Sequence, residues 1–243
     1  KEKHAPYLFF MGIGEYEIIE DTYKNIPVNY YVEKEYASVA KDIFGLTPEM
    51  IGFFADKLGV EYPWNAYNQI VVRDYVSGAM ENTTAVVHGQ KAQQMKGQLI
   101  DKNHQESIIA HEVFHHWFGN LVTSESWSNL ALNESFASYG EYLWREHKYG
   151  KELADAYLFE DIQFYKEDPE SSTKNLVRFY YDDKEDLFDN VSYIKGGAIL
   201  HMLRSYVGDE AFFLSLNKYL TEYKFKSAEV SQLRLILEEI TGK

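Results

Sequence analysis

Along the first third of the chain, apolar positions bunch into short β-prone runs, whereas after Asn103 they recur at helical spacing. Residues 16–19, 28–32 and 67–73, the last rich in Ile and Val, predict strands of a small sheet. The apolar stretch 5–14 is too short to cross a bilayer and is followed by no small-residue cleavage site, so it too predicts a strand. Thr47-Pro48-Glu49 sets a capping residue before a proline at the first helical position. Met50, Phe53, Phe54 and Leu58 then mark an apolar face, and Gly59 marks the stop.

Beyond Asn103 the pattern is helical. Asn103 with Glu106 resembles a capping box, and Gly119-Asn120 supplies a stop. Further helices are predicted over 130–148, 151–166, 190–207, 210–222 and 228–240, with 168–186 as a long polar loop and almost no strand signal. Strands first and helices afterwards predict an α+β domain with a sheet-containing lobe over about 1–102 and a mainly helical lobe over 103–243. There is no internal repeat and no low-complexity tract.

Composition narrows the chemistry. A formal charge of −14 repels phosphate backbones and anionic membranes, which disfavours nucleic acid or lipid headgroups as the main partner and favours a cationic one. The absence of cysteine excludes disulfides, thiolate metal sites and thiol nucleophiles, so any metal must be held by His and carboxylates; the compartment stays open. The chain starts at Lys1 and stops just after an amphipathic helical pattern, which reads as a piece of a larger protein with no export signal in view.

His111-Glu112-Val113-Phe114-His115 is an H-E-x-x-H pattern inside a segment that reads independently as a helix. A separation of four residues at about 1.5 Å rise puts the imidazoles roughly 6 Å apart on one face, close enough to share an ion. Glu112 lies one step round, placed to take a proton from water without occupying a coordination position. The bland alternative is a polar helix that happens to hold two histidines and a glutamate. Glu134, nineteen positions after His115, is the candidate third ligand. Two imidazoles and a carboxylate leave a fourth position open, as in catalytic rather than structural zinc sites.

Three motifs in order, Gly78-Ala79-Met80-Glu81-Asn82, then HEVFHHWFGN, then LNESFASYGEYLW, resemble the M1 zinc aminopeptidases of the gluzincin clan, which also contains thermolysin. The resemblance extends from Ala5-Pro6-Tyr7-Leu8 to the final helix. It implies a thermolysin-like zincin domain with one Zn2+ per chain on His111, His115 and Glu134, and hydrolysis of the first bond of peptides that have a free amino terminus. Glu112 would be the proton-transferring residue and Glu81 the carboxylate that binds the substrate's α-amine. Gly78, Ala79, Met80 and Asn82 would lie along the substrate, and Tyr193 would steady the tetrahedral intermediate. Complete family members also carry an N-terminal β domain and a C-terminal helical domain. Neither is recognisable here, so this stretch alone is expected to bind zinc with little turnover.

His116 and Ser135 depart from the family's usual glutamine and glycine. His116 points away from the ion and reads as a packing or hydrogen-bonding residue, while the sequence assigns Ser135 no role. His4, His88, His104, His147 and His201 lack ligand spacing and default to surface or capping positions, and Trp117 and Phe118 read as helix-packing residues. Three alternatives stay open: a thermolysin-like endopeptidase, an epoxide-hydrolysing relative, and a module that binds zinc and peptide without turnover.

Overall fold

A computed structural model describes residues 3–100 and 103–243. Five strands form the first sheet: β1 (Glu17–Tyr23), β2 (Ile26–Val32), β3 (Tyr67–Val72), β4 (Ala79–Met80) and β5 (Ala85–Gly89), in the order β1-β2-β3-β5-β4. The outer pairs β1–β2 and β4–β5 are antiparallel, and the inner pairs β2–β3 and β3–β5 are parallel. Alternate residues Val28, Tyr30 and Val32 of β2, and Tyr67, Gln69 and Val71 of β3, are buried, as a one-sided sheet requires. Helices α1 (Ala40–Phe44) and α2 (Thr47–Leu58) belong to the same core. Gly59, at φ 62°, closes α2 in the left-handed conformation that glycine adopts without strain.

Three local expectations fail for identifiable reasons. Residues 5–14 form no strand: Pro6–Leu8 is a 3-10 turn, and the chain beyond is irregular, with Phe9, Met11 and Ile13 exposed. Pro6 cannot donate to a ladder, and Gly12 and Gly14 weaken the β preference. Thr47 is the first residue of α2 rather than its cap. Its hydroxyl donates to Phe44 O (2.6 Å) and accepts from Gln69 Nε2 (2.8 Å), tying helix to sheet. Asn103 and Glu106 make no reciprocal capping box. Asn103 Oδ1 accepts from the Gln105 N–H (3.0 Å) just ahead of the helix that begins at Glu106 while its Nδ2 donates to Ile43 O (2.6 Å), and the Glu106 carboxylate accepts from Trp144 Nε1 (2.7 Å).

The helical lobe comprises α3 (Glu106–Phe114), α4 (Glu134–Tyr149), α5 (Lys151–Glu167), α6 (Gly196–Val207), α7 (Asp209–Glu222) and α8 (Val230–Thr241). Residues 168–186 are irregular except for short 3-10 turns, as the polar composition predicts. Four strands escaped the sequence reading: β4 and β5 of the first sheet, and β6 (Val122–Ser124), which pairs in parallel with β7 (Lys226–Ala228), these last two each three residues long and too short for alternation to register. Among the described residues no helix is long and apolar enough to cross a membrane.

Helix α3 lies at the centre, and its contact with α4 is unusually close. Phe114 is fully buried, its ring 4.8 Å from that of Phe54 and 5.1 Å from that of Phe118. On α4, a Cβ added to Gly140 would stand 2.6 Å from Phe114 Cγ, so the missing side chain is what lets the two helices meet. That approach carries the start of α4 to the face of α3 that bears the histidines.

Candidate metal centre

His111 and Glu112 lie on α3, and His115 caps its C-terminus with helical backbone angles (φ −55°, ψ −25°). The two imidazole rings are therefore on one face, with centroids 4.7 Å apart. Glu134, the first residue of α4, reaches both: its Oε2 is 3.3 Å from His111 Nε2 and 3.4 Å from His115 Nε2. All three residues are buried, and their ligand atoms lie within 4.8 Å of one another.

The outward-facing ring nitrogens show what this cluster can hold. His111 Nδ1 donates to Glu141 Oε1 (3.0 Å) and His115 Nδ1 donates to Phe118 O (3.0 Å). With each Nδ1 committed as a donor, a neutral ring turns its Nε2 lone pair toward the Glu134 carboxylate, and a protonated ring donates to that carboxylate from Nε2. In the neutral form three acceptors converge on one point, an arrangement that could hold a cation between them. Without a cation, the acidic surroundings favour a proton on each imidazole in its place. Burial opposes the imidazolium form of His111, but Glu134 and Glu141 outweigh it and hold its pKa well above the usual value. Burial likewise opposes charge on His115, yet Glu81 and Glu134 lift it to about 9. Burial alone would raise Glu134, and the two imidazoles hold it well below the ordinary carboxylate range.

Two further carboxylates border the cluster. Glu112 is buried, and its Oε2 finds no hydrogen-bond partner among the described residues. Burial pushes its pKa up to about 8 against the opposing pull of His111 and His115. Glu81 follows the edge strand β4 and lies with Glu112 and His115 in a second group whose ligand atoms are within 4.8 Å of one another. It is buried, held by Asn120 Nδ2 donating to its main-chain oxygen (2.8 Å) and by the Tyr7 hydroxyl 3.4 Å from Oε1. Ala79 and Met80 pair only with β5 and form the sheet's outer edge, with Gly78 O accepting from Gly89 N (2.9 Å). Asn82 is turned inward and donates to Leu8 O (3.2 Å).

Tyr193 lies in a π-helical turn, Val191–Lys195, that opens α6. Its ring is nearly parallel to that of His111, at 15° and 5.9 Å between centroids. Burial first, and then the charge of Glu134, raise its pKa far above the usual phenol value, so the hydroxyl keeps its proton and remains a donor.

His116 is no ligand. Its Nδ1 donates to Glu112 O (2.9 Å), Nε2 accepts from the Thr84 N–H (3.4 Å), and burial drops its pKa to about 3. His88, expected at the surface, is instead fully buried, 3.0 Å from Gln69 Oε1. Trp117 and Phe118 pack in the core from the turn after α3, Trp117 donating to Val60 O (3.0 Å). Sequence reasoning missed Glu141, Tyr7 and Asn120. Glu141 had a usable signal: it lies seven residues after Glu134, about two turns along the same face of α4.

The geometry of this site coincides with a family match. The profile of the peptidase family M1 domain matches residues 43–243. The chain belongs to peptidase family M1. Among its relatives, glutamyl aminopeptidase of Bos taurus is 29% identical over 248 residues, covering 98% of this chain and 26% of that protein. Probable aminopeptidase 1 of Saccharolobus solfataricus is 32% identical over 247 residues, 99% of this chain and 32% of that protein. Aminopeptidase N of Streptomyces lividans is 31% identical over 252 residues, 98% of this chain and 29% of that protein. The M1 chain thus spans about a quarter to a third of the length of these curated relatives. Its α+β architecture, a small mixed sheet followed by a helical lobe, is the thermolysin-like arrangement expected of that family.

Proposed function

We propose that this M1 domain is a zinc aminopeptidase, and that residues 1–243 form its single catalytic domain. The observation that carries the proposal is the pairing of two buried groups: a His-His-Glu cluster suited to a cation, and the separate carboxylate of Glu81 beside it. The names of the relatives, aminopeptidases from mammal, archaeon and bacterium, support the same reading.

His111, His115 and Glu134 would hold one Zn2+. Bound there, zinc supplies Lewis-acid polarisation of a carbonyl and lowers the pKa of a water to about 7. Glu112, one helical step from the ligands and free at Oε2, takes the proton from the attacking water. It then delivers that proton to the leaving amine. The Tyr193 hydroxyl, kept protonated by its surroundings, donates to the oxygen on which negative charge develops. Glu81 pairs with the substrate's ammonium group, which fixes register so that the first carbonyl, not an internal one, reaches the reacting position. The edge strand Ala79–Met80 offers unpaired main-chain groups along which a peptide can lie, with Gly78 and Asn82 at its ends.

The test is a pair of peptides of one sequence, one free and one acetylated at the amino terminus, incubated with the full-length zinc-loaded protein. Loss of hydrolysis on acetylation is the expected result. Equal cleavage of both would sink the aminopeptidase reading in favour of an endopeptidase on the same site.

A further inference from the structure

The residue after the third metal-binding candidate is Ser135, and its hydroxyl donates to Ser192 O at 2.6 Å, across 57 residues of chain. Ser192 immediately precedes Tyr193 inside the π turn, where an inserted residue departs from the regular α ladder. Both serines are buried, at 2% and 1% exposure, so water cannot replace the bond if it is lost. Opposite Ser135 stands Gly196: a Cβ there would fall well inside contact distance of Ser135 Oγ, so the serine occupies the space that the glycine leaves.

A second grip holds the other side of the turn. Asp189 Oδ1 accepts the Val191 and Ser192 N–H groups, both at 3.1 Å. Arg178 forks onto Asp189 (2.6 and 3.0 Å) and donates to Ser192 Oγ (2.9 Å), while Ser192 Oγ donates to Leu187 O (2.6 Å). Ser192 is thus fixed through its main-chain N–H, its main-chain oxygen and its side chain. Of these bonds, the one from Ser135 alone comes from the helix that bears Glu134.

We propose that Ser135 is a positioning residue: its hydrogen bond to Ser192 O locks the π turn to the start of α4 and so sets the Tyr193 hydroxyl at a fixed distance from Glu134 and the histidines. The inference rests on the reading of Tyr193 as the donor to the oxyanion. Its physical basis is that a donor misplaced by a fraction of an ångström loses much of its value while substrate binding is untouched.

The experiment is a double-mutant cycle of Ser135→Ala and Tyr193→Phe in the full-length zinc-loaded protein, reading kcat, KM and zinc content. Ser135→Ala is expected to lower kcat on the order of 10-fold, with KM and zinc stoichiometry unchanged. In the Tyr193→Phe background the same change should alter kcat less than about 2-fold, because residues acting through one group are not additive. If Tyr193→Phe slows turnover and Ser135→Ala costs the same factor in both backgrounds, or nothing in either, the positioning role is overturned and the reading of Tyr193 stands. Wild-type kcat in Tyr193→Phe would instead overturn the reading of Tyr193, and this proposal with it.

Discussion

Replacing Gly140 with alanine tests whether the close packing of α4 on α3 builds the metal site. The added methyl would stand 2.6 Å from Phe114 Cγ and 2.7 Å from Phe114 Cβ. The obstacle is a fully buried ring at its attachment point, which cannot swing aside as the end of a flexible chain can. Overpacking of this kind costs up to about 3 kcal/mol. Alanine's better helix propensity returns about 1 kcal/mol, leaving a net loss of up to about 2 kcal/mol. For a domain of this size that limit corresponds to a fall in Tm of roughly 4–8 °C. The strain is relieved by moving α4 away from α3, which carries Glu134 from the imidazoles. Zinc affinity should fall together with Tm. Differential scanning calorimetry with and without zinc, and competition against a chromogenic chelator, measure the two quantities. A Gly140→Ala protein that melts higher than wild type and binds zinc as tightly would show that helix propensity decides at this position and that the reasoning is wrong.

Other perturbations separate the parts of the site. Glu112→Gln keeps the shape of the side chain but removes its basicity, so kcat should fall by at least about 10²–10⁴-fold with zinc retained; undiminished turnover would remove Glu112 from the mechanism. Glu141→Gln weakens the acceptor that orients His111, and metal affinity should fall about 10–100-fold, read by the same chelator competition. Asp189→Asn loosens the Arg178 clamp and should cost about 1–2 kcal/mol at neutral pH. Burial opposes charge on Asp189, but Arg178 and the Ser192 N–H outweigh it and leave its folded pKa depressed. Its contribution is therefore complete above the unfolded value of about 3.9 and is lost as pH falls through the folded one. The stability gap between wild type and Asp189→Asn, followed by urea denaturation, should narrow below about pH 4.

The metal cluster could be read from the sequence because its geometry is mostly local. His111 and His115 are one helical turn apart, and helical spacing in the surrounding residues already implied α3. Glu134 needed tertiary contact, and the signal that identified it was a motif, not periodicity. Partners that arise only from packing stayed hidden. Asn120 approaches Glu81 across 39 residues and Tyr7 across 74, distances over which no pattern in the chain speaks. The misread stretch 5–14 shows a related limit: apolar residues signal a preference for burial, and here Phe9, Met11 and Ile13 are left exposed while Leu8 alone is fully covered. Ser135 was visible as a departure from the family pattern, but its meaning depended on Ser192 and Gly196 arriving at the same place.

Metal content by mass spectrometry, on the full-length protein and its Glu134→Ala variant after dialysis against trace zinc, addresses the centre of this account most directly. One zinc per chain in the wild type and a small residual fraction in the variant is the predicted outcome. Stoichiometric zinc in both, or none in either, would contradict the claim that Glu134 joins the two histidines around a single ion.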